Sequence, residues 1–490
     1  MDNEMPFIHL FSTSEGYYLH DVNTDKILKI PEPVFARLQS GRSDVECSLD
    51  SCSVDEYIDN LKNNGFLKNN RVEEVEHPMT PYLEYCHRSK IGHMTLQITQ
   101  RCNLRCGYCV YSGDYNNRAH SQKEMDFDTA KKAIDYLIAH SRDSKDISIG
   151  FYGGEPLLRF NFIKKCVEYA EQKAEGRIIN YTTTTNGTLI TEEKVLFFEQ
   201  HDFSITISLD GPENIHDRHR RFAGSDEGSF KTIIANLNML IGKFPTYYNA
   251  HVLFNTVMDP TNKFSEINEF VRNHEMLKER HFNAGLIDTR YSDIVLNFNE
   301  DYIAEWEYEK FKYFLAKLGW IKDSVASQLL DTVFATIERQ RGGKQTTQMD
   351  KLPKKTHRAG PCVPGMFRLF VNVEGDFYPC ERISEKSTIT CIGNLIEGIN
   401  LKKAERILNL ERETSTRCCN CWAYLYCTAC IGELDGMDSI LPELRKNGCA
   451  RIRKETEEIF KDYCMLRELG YDLIAEMTVE SRETLKEGGL

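Results

Sequence analysis

Apolar residues near the start of the chain come in short alternating runs: Phe7, Ile8 and Leu10, then Tyr17, Tyr18 and Leu19, then Ile27, Leu28 and Ile30, with Asn23-Thr24-Asp25 as a turn. Alternation with period two, broken by turn residues, predicts small strands. Two helices are expected next, around Val34 to Leu38 and Val54 to Asn63, the second closing in Asn-Gly before Phe66 and Leu67. From Met94 to Ile287 the pattern changes. Strand-like runs at Met94 to Thr99, Ile147 to Tyr152, Ile178 to Thr184, Phe203 to Leu209, Ala250 to Val257 and Arg280 to Ile287 alternate with helical periodicity. That alternation is the signature of βα units around a parallel sheet. Between the first two runs, Ala130, Ala133, Ile134, Leu137 and Ile138 make one apolar helix face, with Asp126 or Asp128 near its start. Six such units predict an α/β fold, a partial (β/α)6 TIM-type barrel with ligands at the C-terminal ends of its strands.

An aromatic helical stretch (Trp306, Tyr308, Phe311, Phe314, Leu318) and a polar, basic one (Arg339 to Arg358) lead to a cysteine-rich region, Gly360 to Cys449, and a charged, helical tail. The expected divisions are residues 1–90, 91–315, 316–359, 360–455 and 456–490. With 41% hydrophobic and 28% charged residues, the chain is of the globular class. A formal charge of −13 argues against nucleic-acid or anionic-membrane partners. No run approaches the roughly 20 apolar residues of a membrane-spanning helix, and MDNEMPFIHLF lacks the basic start of a signal peptide. The expected compartment is the cytoplasm. There, 17 cysteines point to metal ligands or catalytic groups instead of disulfides.

Cys102-Asn-Leu-Arg-Cys106-Gly-Tyr-Cys109 follows the first barrel strand directly. Three thiolates without a matching fourth fit an iron-sulfur cluster with one incompletely ligated iron; a structural zinc with a distant fourth ligand is the alternative. The motif resembles the signature of the radical S-adenosylmethionine (SAM) enzymes, with Tyr108 as the aromatic residue before the third cysteine. Gly153-Gly154-Glu155-Pro156, Thr185-Asn186-Gly187-Thr188-Leu189 and Ser208-Leu209-Asp210-Gly211-Pro212 follow successive strands as in that family. The resemblance implies that SAM chelates the open iron and that reduction splits it to a 5′-deoxyadenosyl radical. It further implies that Gly153, Gly154 and Glu155 hold the SAM amino group and that Tyr108 lies near the adenine. Asn186 and Ser208 are then candidates for the ribose or carboxylate, and Arg220 for a nearby anion or for a surface ion pair.

Cys362, Cys380, Cys418, Cys421, Cys427, Cys430 and Cys449 resemble the SPASM extension of radical SAM peptide-modifying enzymes, which carries two auxiliary [4Fe-4S] clusters. The spacing Cys427-Thr428-Ala429-Cys430 is one residue shorter than the family's usual C-x3-C. The family's crossed ligation implies Cys418, Cys421, Cys427 and Cys449 for one cluster and Cys362, Cys380 and Cys430 for the other. Related sulfatase-maturing enzymes have a further cysteine six residues beyond the first; here that residue is Arg368. The first auxiliary cluster is therefore expected to keep an open iron for a substrate thiolate. Of the seven other cysteines, Cys47, Cys52, Cys86, Cys166, Cys391, Cys419 and Cys464, most are expected to be small buried hydrophobes, with Cys391 and Cys419 as alternative donors.

Residues 1–90 resemble the leader-peptide recognition element of ribosomal-peptide maturases, a winged-helix-like α+β module; a structural cap on the barrel is the alternative. In such modules an extended leader adds to a sheet edge. The whole order most resembles the sactipeptide and ranthipeptide maturases, which implies thioether crosslinks in a cysteine-containing precursor peptide and a flavodoxin- or ferredoxin-type reductant. Glu381, directly after Cys380, stands where the sulfatase-maturing relatives carry an acidic base; a plain surface carboxylate is the alternative. Two other readings are a radical SAM enzyme that forms carbon-carbon crosslinks or oxidises Cys or Ser, and a non-catalytic iron-sulfur or zinc peptide-binding scaffold.

Overall fold

The computed structural model describes residues 5–40, 51–112, 114–174, 176–342, 352–358 and 362–471. Cys47 and the tail beyond residue 471 lie outside them.

Six parallel strands, His93–Thr99, Asp146–Gly153, Ile178–Thr185, Phe203–Ser208, Val252–Met258 and Phe282–Leu286, pair in chain order into one open sheet. Each expected strand lies within two residues of its observed limits, because runs such as Phe203, Ile205 and Ile207 are wholly buried and leave one face choice. The first intervening helix, Phe127–Ala139, buries the expected Ala130, Ala133, Ile134 and Leu137. Asp126 caps it, its carboxylate accepting from the Thr129 amide at 2.7 Å. Inside the sheet, the rings of Phe151, Tyr181 and Phe203 stack on neighbouring strands with centroids 5.1–6.5 Å apart. Each such ring contributes about 2 kcal/mol by burial.

The sheet continues past its first strand into the cysteine-rich region. Leu369–Val371 runs parallel to His93–Thr99, pairing Leu369 with Met94, and turns back antiparallel as Asp376–Tyr378. Only three residues long, the added strand carries too little periodicity to be read from sequence. Its effect is to fix residues 368 and 380 at the floor of the barrel, opposite the strand ends where Cys102 begins.

At the other end of the chain, Ile8–Thr13, Gly16–Asp21 and Lys26–Ile30 form an antiparallel sheet backed by helices Glu32–Ser40 and Ser51–Asn63. Leu19, Ile30, Val34, Val54, Ile58 and Leu67 make its core. Phe11 and Tyr18 face the other way, onto Phe460 and Tyr463 of the long helix Arg445–Glu468. The expected tail helix thus starts five residues earlier than Ala450. The polar stretch Arg339 to Arg358 supplies two of the most buried arginines, Arg341 and Arg358, 4% and 1% exposed. No helix of the described residues is long and apolar enough to cross a membrane.

Candidate active site

The loop Cys102–Cys109 is held from both sides by backbone. On one side, the Gly154 amide donates to Thr99 O and the Glu155 amide to Arg101 O, both at 2.9 Å. A Cβ at Gly153 would stand 1.9 Å from Thr99 O, and one at Gly154 would stand 2.2 Å from Arg101 O. Gly153 also has φ of +142°. Two glycines are therefore required for the second strand end to touch the cysteine loop. On the other side, Arg105 N donates to Arg221 O at 2.8 Å, Gly107 N to His219 O at 3.2 Å and Ala223 N to Asn103 O at 2.8 Å.

Burial pushes the Cys102 thiol up to about 11 and the Cys106 thiol up to about 12, and raises Cys109 as well. Charge on Cys109 further raises both Cys102 and Cys106, which places the three thiols in mutual electrostatic reach. Backbone N–H of Leu104 points at Cys102 Sγ at 3.4 Å, and the Asn186 amide Nδ2 at 3.9 Å. Thiols so desolvated give up their protons when a metal replaces them, and N–H groups aimed at sulfur then stabilise the thiolates. These features fit the cluster that the family resemblance implies. Among the described residues, no three His, Cys, Asp or Glu converge as for a single metal ion.

Around this loop, Glu155 is wholly buried, and its carboxylate accepts from Thr185 Oγ1 at 2.8 Å, Asn186 N at 2.8 Å and Leu157 N at 2.9 Å. Burial nevertheless raises its pKa. It fastens the second strand end to the third. Asn186 accepts from Thr188 and donates to Asn103 at 2.8 Å. Ser208 is buried at the fourth strand end. Arg220 is not in a surface ion pair: it is 6% exposed and grips Asp210 through Nε at 2.7 Å and Nη2 at 3.2 Å. Burial would raise the Asp210 carboxyl, but Arg220 beside it wins and holds it below its ordinary value. Tyr108 donates its hydroxyl to the same Asp210 and lies under the guanidinium, 5.5 Å from ring centre to Arg220. Asp210 was missed as a functional residue in the sequence. So was the pair His219–Asp259 at 2.8 Å, which buttresses Tyr108 through a ring contact of 5.2 Å. The run Ser208 to Pro212 was the signal for Asp210; nothing marked the second pair.

In the cysteine-rich region, Cys418, Cys421, Cys427 and Cys449 line one cavity together with Arg358, Arg417 and Arg453. Arg358 Nε donates to Glu411 at 2.6 Å and Nη1 to Ala429 O, while its buried Nη2 has no protein partner. An orphaned cationic N–H beside four thiols fits a group that supplies sulfur acceptors. At the barrel floor, Cys380 is raised to about 11 by burial, with the charges of Glu381 and Cys430 adding. Cys380 and Cys430 are thereby within electrostatic reach of one another, whereas Cys362 is exposed on the preceding loop. Arg368 binds Glu381 at 2.8 Å. Glu381 is only 15% exposed, so it is not a plain surface carboxylate, and its Oε2 is buried without a hydrogen bond. Further into the barrel, the buried pair Arg118–Glu385 at 2.6 Å is joined by Gln97. Of the remaining cysteines, Cys86, Cys166 and Cys464 are buried; Cys391 and Cys419 are partly so. The Cys52 side chain lies outside the described ones.

Residues 96–284 match the sequence profile of the radical SAM superfamily. A serine-type anaerobic sulfatase-maturating enzyme of Bacteroides thetaiotaomicron is 28% identical over 57% of this chain and 66% of its own. A radical SAM cyclopropyl synthase, TigE, of Paramaledivibacter caminithermalis is 25% identical over 46% of this chain and 50% of its own. Native anSMEcpe with bound AdoMet has the same fold, with a TM-score of 0.57 at 19% identity over 76% of this chain and 98% of that one. The chain spans between 42% and 66% of the length of the curated relatives it matches first.

Proposed function

We propose that this chain, whose residues 96–284 match the radical SAM profile, is an enzyme that installs thioether crosslinks in a ribosomally made, cysteine-containing peptide. Cys102, Cys106 and Cys109 would hold the SAM-binding [4Fe-4S] cluster; Cys418, Cys421, Cys427 and Cys449 one auxiliary cluster; Cys362, Cys380 and Cys430 the other. When bound, the first cluster and SAM supply a carbon radical after one-electron reduction by a flavodoxin- or ferredoxin-type partner. The chain's own residues position and shield it. Gly153, Gly154 and Glu155 shape the rim where the SAM amino group sits, and Tyr108, fixed by Asp210 and Arg220, makes the adenine wall. Asn186 and Ser208 face the remaining polar groups.

Closing one thioether removes two hydrogens from the peptide. One leaves as an atom to the radical; the other leaves the thiol as a proton, with the last electron returned to an auxiliary cluster. Glu381 would receive that proton, a role supported by its Oε2 being buried without a hydrogen bond. The observation that carries the thioether reading is Arg368: it stands where a further cysteine would close the floor site and is engaged by Glu381 instead. A substrate thiolate can then complete the ligand set. A cavity of about 440 Å³ supports peptide delivery. Ile27 and Leu28 of the outer strand of the N-terminal sheet, Tyr57, Leu61, Phe66 and Arg467 line it, and an extended leader would run along that strand.

The similarity to a cyclopropyl synthase favours a second reading, carbon-carbon bond formation. Anaerobic incubation of the loaded enzyme with SAM, a reductant and a cysteine-containing precursor peptide separates the two. Both give loss of two hydrogens per bridge by mass spectrometry. A thioether consumes the thiol, so the product resists alkylation; a carbon-carbon bond leaves it reactive. No 5′-deoxyadenosine from fully loaded protein would overturn both and leave a binding scaffold.

A further inference from the structure

We propose that Arg290 is a positioning residue that raises the reduction potential of the floor cluster, by donating a hydrogen bond to the sulfur of Cys430. This rests on the reading that Cys380 and Cys430 ligate a cluster. Arg290 Nη1 lies 3.3 Å from Cys430 Sγ, across 140 residues of sequence. The rest of the guanidinium is fixed by Asp288, whose carboxylate accepts from Nε at 3.0 and 3.1 Å and from Nη2. A bidentate pair of this kind fixes direction. Nη1 stands outside that pair and faces the sulfur.

The surroundings hold that edge in place. Tyr291, in the left-handed region with φ of +62°, donates its hydroxyl to Asp435 at 2.9 Å. A Cβ on Gly432 would stand 3.3 Å from both Arg290 Nη1 and Tyr291 Oη, so the glycine leaves the guanidinium its space. The same short loop reaches the other cluster's side of the barrel: Tyr115 donates to Asp288 O at 2.7 Å, and Asn116 N to Tyr291 O at 2.8 Å. Tyr115 and Asn116 lie just beyond Cys109 in the chain. The loop is thus a protein link between the two cysteine sites.

Adding an electron to a cluster makes its sulfurs more negative, and donors to those sulfurs stabilise the reduced form. Asp288 cancels most of the long-range charge of Arg290, so the effect comes from the directed N–H. The sign is therefore upward, which eases the uptake of an electron from the peptide at this site.

The test is an anaerobic potentiometric titration followed by electron paramagnetic resonance on reconstituted enzyme. Cys380→Ala/Cys430→Ala identifies the signal that belongs to the floor cluster. In Arg290→Leu that signal's midpoint falls by at least tenfold in the reduction equilibrium, about 59 mV for one electron, and the Cys102 cluster does not move. Gly432→Ala, which keeps the arginine but crowds it, gives a smaller fall. Full iron in Arg290→Leu with an unchanged midpoint overturns the inference. If Arg290→Leu loses the cluster, an unchanged midpoint in Gly432→Ala overturns it equally. Unchanged iron in Cys380→Ala/Cys430→Ala would instead remove the cluster reading beneath it.

Discussion

Around Cys418, Cys421, Cys427 and Cys449 the walls are arginines and packed apolar side chains, whereas Cys380 has Glu381 beside it and Cys430 has Arg290. Four thiols from the chain line the first site. The second has three candidates, one of them exposed, and Arg368 paired to Glu381 beside it. Four thiols beside the buried Arg358 suit a cluster that only passes electrons, since a full set of chain donors leaves no position for substrate. Charged groups with an unpartnered carboxylate oxygen suit a site that meets substrate. On this comparison the two proposed clusters would have different tasks although their candidate ligands interleave in sequence.

The largest effect should come from unpairing the wall of the closed site. Arg358 and Glu411 are each 1% exposed, and removing one partner strands the other's charge. Arg358→Met should cost about 4 kcal/mol, whereas Arg358→Met/Glu411→Leu should recover most of it. Chemical denaturation of the loaded enzyme, with iron analysis, reads this. Iron retained at Cys380 and Cys430 while the four-thiol site empties would sharpen the distinction. Joint loss from both sites would break it.

A smaller effect is expected where the N-terminal sheet leans on the closed site. His9 stacks on Trp422 at 3.5 Å, between ligand candidates Cys421 and Cys427, and contacts Glu457 at 3.0 Å. Burial lowers its pKa from 6.5 to about 4, against the opposing pull of Glu457. A lowered histidine favours the neutral ring, so its stabilisation is complete above pH 6.5 and is lost as pH falls towards 4. The span corresponds to at most about 3 kcal/mol. Denaturation profiles from pH 7.5 to 4.5 should fall more steeply in the natural chain than in His9→Phe. Parallel profiles would show that the ring is not held neutral.

The barrel was legible because its strands bury one alternating face and its helices carry one apolar stripe, as with Ile205 and Ile207 or Ala133 and Leu137. Local motifs also reported what local geometry needs: Gly153 and Gly154 are glycine because Thr99 and Arg101 leave no room. What sequence could not show were pairings set by tertiary approach. Arg220 finds Asp210 ten residues away, but Arg290 finds Cys430 across 140, and Arg358 finds Glu411 across 53. Buried arginines read as solvated ones until their partners are placed, which is why Arg339 to Arg358 looked like a polar connection.

The smallest change in stability should carry the sharpest chemical answer. Arg368 is 44% exposed and its bond to Glu381 is open to water on one side, so Arg368→Cys should cost under about 1 kcal/mol. It places a thiol six residues after Cys362, just before the strand Leu369–Val371 that pairs with Met94 to Leu96. If the floor site lacks only that donor, the substituted chain closes it and becomes like the four-thiol site. A cysteine-containing peptide should then perturb the floor cluster's spectrum in the natural enzyme and leave it unchanged in Arg368→Cys. Arg368→Ala controls for the lost ion pair, since it frees Glu381 without adding a ligand, and should keep the peptide response. A response that survives in Arg368→Cys would mean that substrate sulfur binds elsewhere and that openness is not what distinguishes the two sites.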